Sequence, residues 1–338
     1  MVGKRFSTRS ASDMSRPGQH RGWKLAAVLV ALIAVMAPAG ADEPAGEPEA
    51  TAPTLPQVIV EAPEPRYVAP TRRDRIGRIW APVLINDRGP FRLVLDTGAS
   101  RSAINASVAA ALGIDLSNAG TVMLVGVTGE LEVSAITVEN FVVGDLELRP
   151  AKLPIIADAF GGAEGVLGTE GLLDKRIFVD FRHDSITISR SHGERPPQGF
   201  VTIPARIVGG LIIVSDARFG SLPVQAIVDT GGQSSIANAA LGEALRHRMR
   251  QRDRGASEII GVTLDVKRGD LVSTPPLTLG DVRVGMTRIT VADTYIFQHW
   301  NLTSRPAVMI GMDILGLLDA LIIDYPRHEL QVKVPSVR

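Results

Sequence analysis

The chain has 338 residues, 45% of them hydrophobic, and its 36 Lys and Arg are balanced by 36 Asp and Glu. That length admits two domains or one large one, with enough apolar residues for a buried core. No basic face is clustered enough for a nucleic-acid surface, and the lack of any cysteine excludes disulfides, thiol nucleophiles and zinc ribbons.

Residues 1–41 read as a signal peptide. Arg16, Arg21 and Lys24 precede the apolar run Leu25–Ala37, and Ala39-x-Ala41 fits a small-residue cleavage site before Asp42. The run is short for a membrane span, which takes about 20 apolar residues. Uncleaved, it would be an inner-membrane anchor, and Met14 is an alternative start. The expected location is the periplasm. Residues 42–75 contain seven prolines among small and acidic residues and read as a linker or pro-segment, with Arg72-Arg73 as a candidate cut. Within it, QVIVEA (57–62) could add a strand.

From Ile76 onward short Val-, Ile- and Thr-rich runs are punctuated by Gly, Asn-Asp and Pro, which predicts mostly strands. RIWAPVLI, NDRG and PFRLVLD read as strand, turn and strand. NASVAAAL (105–112) is a predicted helix with Asn105 as N-cap and Gly113 as stop, and NAALGEALRHRM (238–249) is another with Asn238 as cap. The stretch RHRMRQRDR (246–254) reads as a solvated helix end. IFQHWN (296–301) reads as a core or loop anchor rather than a pocket lining.

Four blocks recur in the same order. VLDTGASRSAIN (94–105) matches IVDTGGQSSIAN (227–238), and LVGVTGEL (124–131) matches IIGVTLDV (259–266). ITVENFVVGDLEL (136–148) resembles LTLGDVRVGMTRI (277–289), and GVLGTEGLLDKRIFVDF (165–181) matches VMIGMDILGLLDALIIDY (308–325). The period is too long for a solenoid, so one β-rich unit has been duplicated. The expected lobes are 76–195 and 196–338, joined through HGERPPQG.

Each Asp-Thr-Gly ends an apolar triplet, Leu93-Val94-Leu95 before Asp96 and Ala226-Ile227-Val228 before Asp229. One such tripeptide is an ordinary strand-ending turn. Two, one per copy, suggest a site on a pseudo-twofold axis. Two carboxylates about 3 Å apart share one proton, so one serves as acid and the other as base. Such a pair can activate water directly against an amide.

On DTGAS (96–100), DTGGQS (229–234) and the apolar-apolar-Gly blocks VLG (166–168) and MIG (309–311), the chain resembles retropepsin-like aspartic proteases over about residues 76–334. The resemblance implies a mainly β fold of two duplicated acid-protease barrel lobes with a cleft between them. It implies Asp96 and Asp229 as the catalytic dyad. Thr97 and Thr230 would bond across the lobes beneath it, with Gly98 and Gly231 letting backbone N–H groups approach. Gly168 and Gly311 would end strands packed under the active-site loops. Gly126, Val127, Thr128 and Gly129 would form a flap over substrate, and Gly261, Val262 and Thr263 the equivalent hairpin of the second lobe, which acts as a flap in some members only.

Pepsin-like members carry Ser or Thr after the motif glycine, where this chain has Ala99 and Gly232. Loss of that donor should raise the dyad's pKa values and move the optimum to mildly acidic or neutral pH. Gln233 is unusual and leaves the geometry of the second loop open. His20, His183, His192, His247, His299 and His328 show no metal spacing, and neither H-E-x-x-H nor G-x-S-x-G occurs. GGAEGVLG (161–168) belongs to the repeat and not to a phosphate loop. The expected protein is an exported endopeptidase without metal or cofactor, active as a monomer on a polypeptide bound in extended form. The alternatives are a duplicated-lobe peptide-binding protein of little or no activity, and a homodimer.

Overall fold

A computed structural model describes residues 78–158, 162–246 and 255–335, with the backbone of two short strands, Ala27–Val28 and Tyr67–Pro70. Apart from those strands, the expected signal peptide, the Pro-rich segment with QVIVEA and Arg72-Arg73, and the basic stretch from His247 to Arg254 lie outside the described residues. Among the described residues no helix is long and apolar enough to cross a membrane.

The fold is mainly β and is laid down twice. In the first copy Trp80–Ile85 and Arg88–Leu95 form a hairpin. Its two-residue turn, Asn86-Asp87, has both φ positive (50° and 59°), the turn whose twist suits a hairpin. Gly165–Leu167 then runs parallel to Arg88–Leu95 and antiparallel to Ala103–Asn105, and Ala151–Ile156 lies parallel to Ala103–Asn105 on its other side. The second copy repeats each pairing. Leu211–Val214 pairs with Gln225–Val228, Ala307–Ile310 runs parallel to it and antiparallel to Ile236–Ala237, and Arg288–Val291 lies beyond.

This arrangement explains the apolar triplets. The central strand of each copy is covered on both faces, so its side chains are apolar without alternation. Leu93 and Leu95, like Ala226 and Val228, enter the main core. Val94 and Ile227 point the opposite way, into smaller clusters. Both predicted helix starts are present. Asn105 caps Ala106–Ala111 by accepting the Val108 N–H (3.1 Å), and Asn238 caps Ala239–Arg246 by accepting the Leu241 N–H (2.9 Å). Gly113 follows the first at φ +75°, a left-handed stop.

The lobes are welded by a shared sheet. Its order is Tyr67–Pro70, Ser185–Arg190, Lys175–Asp180, Ala320–Asp324, Glu329–Lys333 and Val201–Val208. At its middle Arg176 of lobe one donates to fully buried Asp324 (2.9 Å) and to Gln331 (2.9 Å) of lobe two. Breaking such a buried pair leaves an uncompensated charge, so it penalises any other register of the two strands. Tyr67–Pro70 falls inside the segment expected to be linker to residue 75. That segment contributes a strand, because edge pairing through main-chain bonds needs no side-chain pattern a sequence would display.

The third repeat block needs a shifted alignment. The hairpin Phe141–Val143 with Leu146–Leu148 corresponds to Leu277–Leu279 with Val282–Val284. Its turns contain Gly144 and Gly280 at φ 57° and 55°, so V-G-D (143–145) matches L-G-D (279–281). Ile136 therefore has no counterpart at Leu277.

Candidate active site

Asp96 and Asp229 stand at the ends of the two central strands and are almost wholly shielded from solvent, at 0% and 1% exposure. The backbone N–H of each aspartate donates to the parallel strand beside it, Asp96 to the Leu167 carbonyl (2.9 Å) and Asp229 to the Ile310 carbonyl (3.0 Å). The chain then turns back on the side chain. Asp96 Oδ1 accepts N–H bonds from Gly98 (2.8 Å) and Ala99 (3.1 Å), and Asp229 Oδ1 accepts them from Gly231 and Gly232 (3.0 Å each). Gly-Gly-Gln thus holds its acid as squarely as Gly-Ala-Ser does. Glycine is required at 231, where a Cβ would overlap the carboxylate of Asp96. The loop of one lobe thereby abuts the acid of the other.

Beneath the acids the threonines cross over. The Thr97 N–H donates to Thr230 Oγ1 and the Thr230 N–H to Thr97 Oγ1, both at 3.1 Å. Each hydroxyl then donates across the interface, Thr97 to the Val228 carbonyl (2.8 Å) and Thr230 to the Leu95 carbonyl (2.7 Å). Four buried bonds related by a pseudo-twofold fix the two loops against each other.

Burial is the largest cause pushing both carboxyls up, Asp229 to about 7 and Asp96 well above the usual carboxylate range, with the charge of Asp229 as the next cause for Asp96. Desolvation is therefore the first reason for the elevation. Counted as a pair of carboxylates, Asp96 Oδ2 lacks a donor. Counted as acid and base, the two side chains hydrogen-bond to each other. We favour the second description, since two facing buried carboxylates cannot both ionise cheaply, and the dyad titrates as a unit.

A second tier of acids was not singled out from the sequence. Glu170 Oε1 accepts the Ser102 N–H (2.6 Å), and Ser102 Oγ accepts the Gly168 N–H (3.0 Å). In lobe two Asp313 accepts both the N–H (3.0 Å) and the hydroxyl (2.7 Å) of Ser235, whose Oγ accepts the Gly311 N–H (3.1 Å). The two glycines follow the strands Gly165–Leu167 and Ala307–Ile310 and lie so close to the dyad loops that any Cβ would strike backbone, of Arg101 and of Ser234 respectively. The sequence does hold the signal: an acid two residues after each apolar-apolar-Gly and a serine six after each aspartate.

The hairpins Gly120–Val125 with Glu130–Val138, and Gly255–Ile260 with Val266–Ser273, meet tip to tip. Gly126, Val127, Thr128 and Gly129 form the first tip, and Gly261, Val262 and Thr263 belong to the second. Thr128 and Thr263 hydroxyls lie 3.1 Å apart. A Cβ on Gly126 would meet Val262, and one on Gly261 would meet Thr128, so the tips interlock through their glycines. Each tip crosses over. Val127 is buried with Ile227, Ile236 and Phe297 of lobe two, and Val262 with Val94, Ala99 and Val166 of lobe one. Glycine-rich residues 162–168 carry the strand beside Arg88–Leu95. Among the described residues no cluster of acids and histidines could hold a metal ion.

Two duplicated lobes, each ending its central strand in a buried Asp-Thr-Gly, have the architecture of a two-lobed aspartic protease. The profile of the family described as aspartyl protease matches residues 81–170 and again 215–314, more than half of the chain. The chain belongs to the aspartyl protease family. It is also similar to the crystal structure of a retropepsin-like aspartic protease from Rickettsia conorii, at 23% identity over 36% of this chain and 89% of that one, with a TM-score of 0.29. No curated protein sequence matches it. Family and fold support a peptidase role.

Proposed function

We propose that this chain is an aspartic endopeptidase in which Asp96 and Asp229 share one proton and activate a water molecule against a peptide bond. The observation that carries the reading is the paired burial of the two acids, each held by two N–H donors on one oxygen and tied to its partner through the crossed threonines. In the proposed cycle the ionised carboxylate removes a proton from water as its oxygen bonds to the carbonyl carbon. The protonated carboxyl passes its proton to the carbonyl oxygen, giving a gem-diol. The amide nitrogen then takes one proton from the dyad, a gem-diol hydroxyl returns one, and the C–N bond breaks. The dyad is left with one proton, as it began.

The substrate is an extended polypeptide with apolar side chains on both sides of the cleaved bond, as the resemblance to retropepsin-like proteases implies. One chain supplies both acids, so the active species is a monomer. Residues 1–41 carry the proposal of export, with periplasmic proteins or periplasmic domains of membrane proteins as substrates, or of a tethered enzyme if the leader is retained. The test is cleavage of a peptide library by the purified chain and by Asp96→Asn and Asp229→Asn. Full cleavage by either variant would end the proposal, and an obligate active dimer in sedimentation would end its monomer clause.

A further inference from the structure

The second copy places its apolar-apolar-Gly 82 residues after its aspartate and the first copy 72. Most of the difference is one segment. The connection from Arg288–Val291 to Ala307–Ile310 spans 292–306, while the corresponding connection in lobe one, 157–164, is about half as long. The longer segment forms a short helix, Tyr295–His299, and turns back on itself through Leu302 N–H to the Phe297 carbonyl (2.8 Å). Asn238 pins it down, donating from Nδ2 to the Leu302 (2.5 Å) and Arg305 (2.6 Å) carbonyls.

This pinned segment grips the first hairpin. The Ile296 N–H donates to the Val127 carbonyl at the tip (3.2 Å), and the Tyr295 hydroxyl donates to Glu130 Oε2 (2.7 Å) just past it. Ile296 and Phe297 are fully buried in the cluster that encloses Val125 and Val127. The second hairpin is held differently. Among the described residues its one hydrogen bond to lobe one is between the hydroxyls of Thr263 and Thr128, and its tip bonds otherwise to itself.

We propose that the 292–306 segment is a clasp that fixes the first hairpin as a standing wall of the cleft, with Tyr295 and Ile296 as positioning residues, so that the second hairpin is the one that moves to admit a polypeptide. The inference rests on the peptidase reading only for what enters. The two acids are 0% and 1% exposed and the tips pack against the segments that carry them, Val127 with Ile227 and Val262 with Val94 and Ala99, so one tip must withdraw before any chain can reach them. Withdrawing the first breaks a backbone hydrogen bond and a tyrosine–carboxylate bond as well as its apolar contacts. Withdrawing the second breaks one hydroxyl pair and its apolar contacts.

Hydrogen–deuterium exchange on the full chain, resolved to peptides from 120–138 and 255–273, tests this without substrate. The expected result is exchange at 261–266 about tenfold or more faster than at 126–130. Tyr295→Phe, which deletes one hydroxyl from a half-buried ring, should speed exchange at 126–130 about three- to tenfold and leave 261–266 unchanged. Glu130→Ala should do the same, while Glu130→Gln, which keeps an acceptor, should behave as wild type. Equal exchange in the two hairpins, faster exchange in the first, or no response to both Tyr295→Phe and Glu130→Ala would overturn the clasp. Faster exchange in the second hairpin of a chain that cleaves nothing would instead refute the peptidase reading and leave the clasp standing.

Discussion

The two lobes match almost atom for atom where they touch the pseudo-twofold axis and diverge away from it. At the axis each aspartate takes two N–H bonds on one oxygen, each threonine hydroxyl reaches a carbonyl of the other lobe, and each apolar-apolar-Gly bonds to a serine. This holds although the residues after Asp-Thr-Gly are Ala-Ser in one and Gly-Gln in the other, because the bonds are made by main chain. Off the axis, one hairpin is gripped by the 292–306 segment and the other is not. Duplication therefore leaves a symmetric pair of buried acids beside an asymmetric pair of hairpins: a shared proton would require both halves, whereas opening, as proposed, would require only one.

The most severe way to break the symmetry is to remove one acid. Asp96→Asn and Asp229→Asn should each lower kcat/KM on a peptide substrate by at least about a thousandfold, with losses within tenfold of each other, because neither carboxyl can be both acid and base. A variant retaining a tenth of wild-type activity would show that one acid works alone.

The threonines come next. Thr97→Val orphans the Val228 carbonyl and the Thr230 N–H, and Thr230→Val orphans the Leu95 carbonyl and the Thr97 N–H. Each should cost about 2–4 kcal/mol of unfolding free energy, since a buried unpaired group costs about 1–3 kcal/mol. Denaturant titration of the two variants measures this. A loss confined to one of them would mean the crossed bonds are not equivalent.

Much of this was legible in the sequence. Residues 94–105 and 227–238 carried the duplication, both helix caps and both acids, because a buried strand that ends in Asp-Thr-Gly has few other meanings once it occurs twice. The third block aligns in more than one register by sequence, since Val, Leu and Thr alternate similarly at several offsets. The V-G-D and L-G-D turns that fix it depend on glycines at positive φ, a conformational and not a hydrophobic signal. Glu170 and Asp313 are legible only once the two copies are aligned, as an acid two residues past each apolar-apolar-Gly. The clasp was visible only as IFQHWN and a longer spacing, and the hairpin it grips lies 165 residues away in sequence.

A smaller effect concerns pH. Burial raises both dyad carboxyls, Asp229 to about 7. An unfolded aspartate ionises near pH 4 while the folded one keeps its proton to about 7. Between those values the native state binds more protons, so this contribution to stability is full below about pH 4 and is lost as pH rises to about 7. Melting temperature should fall across that window more steeply for wild type than for Asp229→Asn. Activity should peak at mildly acidic to neutral pH, and a peak below about pH 3 would contradict the elevated dyad.

The finest comparison is between the two bracing acids, whose carboxyls are both pushed up by burial. Glu170 uses one oxygen to accept the Ser102 N–H, and its Oε2 is buried with no hydrogen-bond partner. Glu170→Gln can keep the accepting oxygen while deleting a charge that is costly to bury. Asp313 uses both oxygens, one for the Ser235 N–H and one for its hydroxyl. Asp313→Asn can keep its oxygen on the Ser235 N–H but must turn its amide nitrogen to the Ser235 hydroxyl, which then gives up its charge-assisted donation to the acid. The expected result is a nearly neutral Glu170→Gln and a loss of about 1 kcal/mol for Asp313→Asn. Conservative rescue separates geometry from charge here. If the two amides cost the same, the bonds to the serines do not set the difference between the lobes, and the identity of the acid after each glycine is immaterial to how the dyad loops are held.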